Sequence, residues 1–235
     1  MSFAQAVRGV IFDMDGLLVD TERVYYDALI GAALSVERDM PHDFVCSMIG
    51  VPGPECVAMI KAYYGDGFPM ARFDAVYDSL VAARLAENIP LRAGARELVT
   101  YLAARGIPQA IATSSRRPTV ERYMNGVGLL EHFSAVVCRE DVVNAKPAPD
   151  PFLKAAALLG LEPGQCLVLE DSYHGIAGAH AAGAMPIMVP DLLAATEAVC
   201  AQCVAVADDL HAVKAMLEQA GDSFARQGAA AAAVR

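Results

Sequence analysis

Two aspartates two residues apart, Asp13 and Asp15 in VIFDMDG, follow a short apolar run from Val10 to Phe12. Such a run ahead of acidic and glycine residues predicts a buried parallel strand ending in a functional turn, with Asp13 at its carboxyl end. Three further places gather polar groups of the same kind: Thr113, Ser114 and Ser115 after QAIA, Lys146 in NAKPAPD, and Glu170 with Asp171 after CLVL. The set contains a nucleophilic carboxylate, a second carboxylate two residues on, hydroxyls, an ammonium and an acidic pair. That combination suits phosphoryl transfer. A carboxylate can attack phosphorus to give an aspartyl-phosphate, but two anions repel, so a divalent cation and a lysine must neutralise the charge gathering on the equatorial oxygens. Asp13, Asp171 and a backbone carbonyl provide the hard oxygen ligands magnesium takes, with waters and phosphate completing an octahedron.

Groups this far apart in sequence meet only if the fold collects them, and open α/β sheets do so beyond the carboxyl ends of their strands. From Pro90 onward, strand and helix signals alternate: a helix at Ala95 to Ala104 closed by Gly106, a strand at Gln109 to Ala112, a helix opened by Pro118, and a strand at Ala135 to Cys138. A helix then starts at Asp150 and Pro151 and ends at Gly160, followed by strands at Cys166 to Leu169 and Pro186 to Val189. Repeated βα units predict a Rossmann-like, doubly wound parallel sheet as the core, assigned to residues 1–19 and 91–225. Between them, residues 20–90 change to helical spacing, as at Val24, Ala28, Leu29 and Ala32, with breaks near Gly50 to Pro54 and Gly65 to Pro69. This stretch reads as a small inserted all-helical cap. Met59, Ile60 and Tyr63 read as its own core. The alanine tract at 226–235 has no apolar periodicity to dock it and reads as a disordered tail.

The composition narrows the partners. The 235-residue chain carries a formal charge of -10, which repels nucleic acid polymers and anionic membranes, so an anionic substrate must be small and held by local positive charge. No apolar run approaches the roughly 20 residues of a membrane span, and the first residues run into a strand pattern instead of a secretory signal; a cytoplasmic location is expected, as a monomer or weak homodimer. Six scattered cysteines sit in apolar segments, and the single CxxC, Cys200 and Cys203, lacks a second ligand pair for zinc.

Taken in order, DMDGLLVDTE, ATSS, KPAPD and LEDSYHGIAGAHAAG resemble the four signature motifs of the haloacid-dehalogenase-like hydrolase superfamily, over about two-thirds of the chain. A lone DxD or lysine is a weak signal; four motifs in order, each after a predicted strand, are specific. The resemblance implies Asp13 as nucleophile and Asp15 as the group that protonates the leaving oxygen and then activates water. It implies Thr113 as a donor to a phosphoryl oxygen, with Ser114 and the amides of Met14 and Asp15 as further donors, and Lys146 as a bridge between phosphate and Asp13. Magnesium would be held by Asp13, Asp171 and the carbonyl of Asp15. Glu170 would hold a metal-bound water or orient a neighbour. Gly16 would let the chain turn sharply.

Each residue also has a plainer reading. An isolated DxD is a solvated acid pair, Lys146 could be a surface lysine, and Thr113, Ser114 or Ser115 could cap the helix at Pro118. Gly175, Gly178 and Gly183 look like a nucleotide loop but read better as close helix packing. His174 could touch substrate or serve only as a local hydrogen-bonding group. Within the superfamily, Asp15 argues against dehalogenase and phosphonate-cleaving chemistry, whose members lack the second aspartate. The rival is a sugar-phosphate mutase like β-phosphoglucomutase; its cap histidine and cap arginine correspond here to Tyr25 and to MIGVPGPE, which has no arginine. The expected activity is therefore magnesium-dependent hydrolysis of a small soluble phosphate monoester, of the sugar phosphate or nucleoside monophosphate class. Glu22, Arg23 and Tyr25 of the cap, and Arg116 of the core, are candidates for specificity. A non-catalytic binding protein is the remaining alternative, disfavoured because no motif is degraded.

Overall fold

Short apolar runs build the centre of the molecule. β1 (Gly9–Phe12), β2 (Gln109–Ala112), β3 (Ala135–Val137), β4 (Cys166–Glu170), β5 (Met185–Met188) and β6 (Ala205–Val206) form one sheet of order β3-β2-β1-β4-β5-β6, every pairing parallel. These features come from a computed structural model that describes residues 6–221 except 50, 52 and 88. β1, β2, β4 and β5 are buried along their whole length, as strands covered on both faces must be. Alternation across the pleat divides β1 between two apolar layers: Val10 and Phe12 pack with Leu167, Leu169, Leu98 and Leu102, while Ile11 packs with Val168, Phe152 and Ala155.

Helices α5 (Ala95–Ala104), α6 (Arg117–Gly126), α7 (Asp150–Leu158), α8 (Tyr173–Ala181), α9 (Glu197–Cys200) and α10 (Leu210–Ala220) join and cover these strands. Pro118 sits in the first turn of α6, where its missing N–H costs nothing. The residue before that helix is Arg116, with no side-chain cap; instead Glu140 accepts the Arg117 N–H at 2.9 Å. Thr113, Ser114 and Ser115 therefore do not cap α6, and this leaves them for another task. α8 is capped by Ser172, which accepts the Gly175 N–H at 3.0 Å.

The inserted stretch forms α1 (Glu22–Ser35), α2 (His42–Cys46), α3 (Gly53–Tyr64) and α4 (Met70–Glu87). These gather a separate apolar cluster of Ala32, Val45, Met48, Ile60, Phe68 and Phe73, with Met59 packed against it. Tyr63 departs from the expectation: it is 54% exposed and stacks on Phe44 at 4.3 Å, because its helical position faces outward. The end of α4 turns back to the main core, where Leu85 is buried. From this separation of clusters we propose residues 20–90 as the cap and 1–19 with 91–225 as the core; the expected tail at 226–235 lies outside the described residues.

Two linkers join these parts side by side. The Asp20 N–H bonds the Pro90 carbonyl at 2.9 Å, the Arg92 N–H bonds the Leu18 carbonyl at 3.0 Å, and Val19 bridges Leu91 antiparallel. Arg92 reaches Asp191 at 2.6 Å and Asp20 at 3.7 Å. No helix among the described residues is long and apolar enough to cross a membrane.

Candidate active site

The sheet order reverses direction around β1, so a crevice opens at the carboxyl ends of β1 and β4. Asp13 follows β1 there, its N–H bonded to the Leu169 carbonyl at 3.0 Å. Lys146, from the loop before α7, is buried and its ammonium donates to Asp13 Oδ1 and, at 2.6 Å, to Glu170 Oε1. The other oxygen of Glu170 accepts from Ser172 Oγ at 3.0 Å and from the Ser172 N–H at 3.3 Å. Both oxygens of Glu170 are thus engaged, and the side chain is fully buried between Lys146 and Ser172. Asp13, Glu170 and Asp171 each bring a carboxylate oxygen within 4.8 Å of one another.

Asp15 occupies a seat of hydroxyls. Its Oδ1 accepts from Thr21 Oγ1 at 2.6 Å and from the Tyr25 hydroxyl at 3.4 Å, and its Oδ2 accepts from Ser115 Oγ at 2.7 Å. Ser115 also donates its N–H to Thr113 Oγ1 at 3.0 Å, and the Tyr25 hydroxyl lies 3.1 Å from that of Tyr123. Sequence reasoning missed Thr21 and this use of Ser115. The signal for Thr21 was its position in VDTE directly after the DxD turn; nothing distinguished Ser115 from a helix cap.

Asp13, Asp15, Glu22, Glu170 and Asp171 thus gather around one ammonium, that of Lys146. Burial pushes Asp13 up to about 8, against the pull of Lys146 and with the repulsion of Glu170 and Asp15. Burial, then Asp15 and Asp13, push Glu22 to about 8 as well. Asp171 is raised well above the carboxylate range by burial, Asp13 and Glu170, and Asp15 is raised by burial despite its hydroxyl donors. Lys146 moves the other way: Asp13 and Glu170 outweigh its burial and hold it charged. A buried surplus of hard oxygen anions fits a magnesium ion; of the clustered Asp13, Glu170 and Asp171, Asp13 and Asp171 face the cavity.

This surplus makes stability depend on pH. With folded values of about 8 for Asp13 and Glu22 against ordinary values of 3.8 and 4.5, the folded chain binds more protons than the unfolded chain across that window. Stability of the metal-free protein is then present in full below the unfolded values and falls as pH rises toward the folded ones. Melting temperature in chelator is expected to drop between about pH 5 and about pH 8, and magnesium to raise it more at the higher pH. A magnesium shift that shrinks with rising pH would contradict this charge balance.

The carboxylates open on a cavity of about 530 Å³ between the sheet end and helices α1, α3 and α4. Thr113, Ser114, Glu22 and Tyr25 line it with Asp13, Asp15, Lys146 and Asp171. Arg23, Arg116 and His174 are not among the residues that line it. Arg23 is drawn instead into the linker ion cluster, 3.8 Å from both Asp20 and Asp191; Arg116 is exposed ahead of α6, and His174 is half-buried in α8.

Two glycines are required by close approach. Gly16 has φ +81°, and a Cβ there would stand 2.2 Å from Asp171 Oδ2. A Cβ on Gly175 would stand 1.9–2.2 Å from the Glu170 carboxylate, so the packing that explains this glycine is against a site residue. Gly175→Ala must displace Glu170 from Lys146. Melting temperature is expected to fall by roughly 3–10 °C and turnover by about tenfold or more; wild-type values for both would show that Glu170 does not position the lysine.

A family model described as haloacid dehalogenase-like hydrolase matches residues 10–189. The chain belongs to the haloacid dehalogenase-like hydrolases. Among its relatives within that family, a Drosophila melanogaster protein named "Probable pseudouridine-5'-phosphatase" is 35% identical over 188 residues, covering 77% of this chain and 80% of the relative. The bifunctional riboflavin kinase/FMN phosphatase of Arabidopsis thaliana is 32% identical over 184 residues; these span 78% of this chain but 48% of that longer protein. In three dimensions the hydrolase is similar to CbbY from Rhodobacter sphaeroides, solved in complex with phosphate: TM-score 0.73, 26% identity, 87% of this chain and 95% of that one.

Proposed function

We propose that this haloacid dehalogenase-like hydrolase is a magnesium-dependent phosphatase acting on a small phosphate monoester, of the sugar phosphate or nucleoside monophosphate class, through an aspartyl-phosphate on Asp13. The observation that carries the reading is the pairing of Asp13 and Asp15 at one cavity: the first bonded to Lys146, the second held by three hydroxyls. The relatives named as phosphatases support it.

In the first half-reaction, an Asp13 carboxylate oxygen attacks phosphorus as the ester P–O bond breaks, and Asp15 gives its proton to the leaving oxygen. Burial, which raises Asp15, makes it able to carry that proton. In the second, Asp15 takes a proton from water, whose oxygen attacks phosphorus and releases phosphate, restoring Asp13. Thr113, Ser114 and the amides of Met14 and Asp15 would donate to the phosphoryl oxygens, while Lys146 stays charged beside Asp13. Magnesium, held by Asp13, Asp171 and the Asp15 carbonyl, would supply the further positive charge that a double anion needs beside these carboxylates.

Hydrolysis is favoured over a mutase by the cap's contribution to the cavity, which includes no arginine or lysine among the described residues to grip a second phosphate. The proposal includes a cytoplasmic protein, monomeric or weakly dimeric, whose charge of -10 keeps it from nucleic acid polymers and anionic membranes. Phosphate release from sugar phosphates, nucleoside monophosphates, phosphoglycolate and p-nitrophenyl phosphate, with magnesium and with chelator, tests it. Magnesium-dependent release from at least one ester is expected. A folded protein that releases none, yet isomerises a sugar phosphate when given a bisphosphate, would be a mutase.

A further inference from the structure

The cavity has a second half, beyond the carboxylates, built by the cap. α4 presents Phe73, Asp74, Tyr77 and Asp78, at spacings that put all four on one helical face. α3 adds Val57 and Ile60 and α1 adds Leu29. Among the described residues lining the cavity, Lys146 is the sole cation, and it is engaged by Asp13 and Glu170 at the sheet end.

We infer that the alcohol released here is a neutral ring compound with an apolar face and outward N–H or O–H donors, and that it carries no second negative charge. The inference rests on the phosphatase reading of the same site and narrows it. Three properties of the wall lead to it. Against Val57, Ile60, Leu29 and Phe73 a chain of hydroxyls would lose water without gaining partners, whereas a flat ring loses little. Asp74 and Asp78 are acceptors when ionised, so they pair with donors and repel carboxylate or phosphate. The cavity, at about 530 Å³, lies within the range of sites for ring-sized ligands and exceeds what a two- or three-carbon ester fills. A nucleoside fits all three conditions; an open-chain polyol fails the first, an acidic or doubly phosphorylated sugar fails the second, and a two- or three-carbon ester fails the third.

The test is kcat/KM with magnesium for a pyrimidine nucleoside monophosphate, a hexitol phosphate, phosphoglycolate and a hexose bisphosphate, with p-nitrophenyl phosphate as common reference. The nucleotide is expected to exceed the hexitol phosphate by about tenfold and the two substrates with an anionic tail by about a hundredfold. In the double variant Asp74→Asn, Asp78→Asn, whose positions are exposed and outside the catalytic groups, the kcat/KM ratio of the nucleotide to phosphoglycolate is expected to narrow by about tenfold. A wild-type preference for phosphoglycolate, the bisphosphate or the hexitol ester overturns the inference, as does a gap the double variant leaves intact; in either case hydrolysis of p-nitrophenyl phosphate keeps the phosphatase reading standing. Loss of hydrolysis on every ester, p-nitrophenyl phosphate included, overturns both.

Discussion

Asp13→Asn is expected to fold, to keep its cavity, and to release phosphate about ten-thousandfold more slowly than wild type or worse. The amide is nearly isosteric and still offers an oxygen to Lys146, so the loss falls on nucleophilicity and not on packing. A second readout separates this from damage. Because burial lifts Asp13 to about 8, the folded state must hold it protonated or bear its buried charge as pH rises toward that value, and either costs stability. A neutral isostere should therefore raise the melting temperature of the metal-free protein near pH 8 while reducing the gain that magnesium brings. Scanning fluorimetry in chelator and in magnesium gives both numbers. Turnover within about tenfold of wild type would remove Asp13 from the role of nucleophile.

Lys146→Ala has the largest expected effect on the fold. Its ammonium is buried and is the counter-charge of both Asp13 and Glu170, so truncation leaves two buried carboxylates facing each other. Breaking such a pair by removing one partner costs about 3–5 kcal/mol, or roughly 10 °C in melting temperature for a chain of this size. Loss of a charge aimed at the developing anion should lower turnover by about a hundredfold or more. Lys146→Met, which keeps an apolar stem of similar length in place of the one whose Nζ lies 5.3 Å from the Phe152 ring centroid, should recover part of the stability and none of the activity. Recovery of activity with methionine would mean that the lysine acts through its shape.

The core was legible because its strands are fully covered. α5 at Ala95–Ala104 and β2 at Gln109–Ala112 coincide with the sequence reading residue for residue, since each is an apolar pattern bounded by glycine, proline or hydroxyl residues. β6 and α9 were not read: two and four residues long, they are too short for any period to show. The four motifs pointed to Asp13, Asp15, Lys146 and Asp171 because their residue types are chemically demanding. The hydroxyls around Asp15 were harder, since a threonine or serine beside a helix start looks the same whether it caps the helix or holds a carboxylate across the fold. Arg23 and Arg116 are hard to place from sequence for a related reason: a long charged side chain can reach several places, and for Arg23 the nearby Asp20 and Asp191 compete.

The pairing of the linkers carries a consequence for descent. Because residues 20 and 90 are held a single hydrogen bond apart, the polypeptide leaves the sheet scaffold and rejoins it at one point. Most of what lies between can be lengthened, replaced or reshaped without shifting a strand, provided Thr21 and Tyr25 keep their bonds to Asp15 and Leu85 its place in the main core. Selectivity and chemistry are thereby inherited as separate parcels, so lineages sharing one reaction can diverge widely in what they accept.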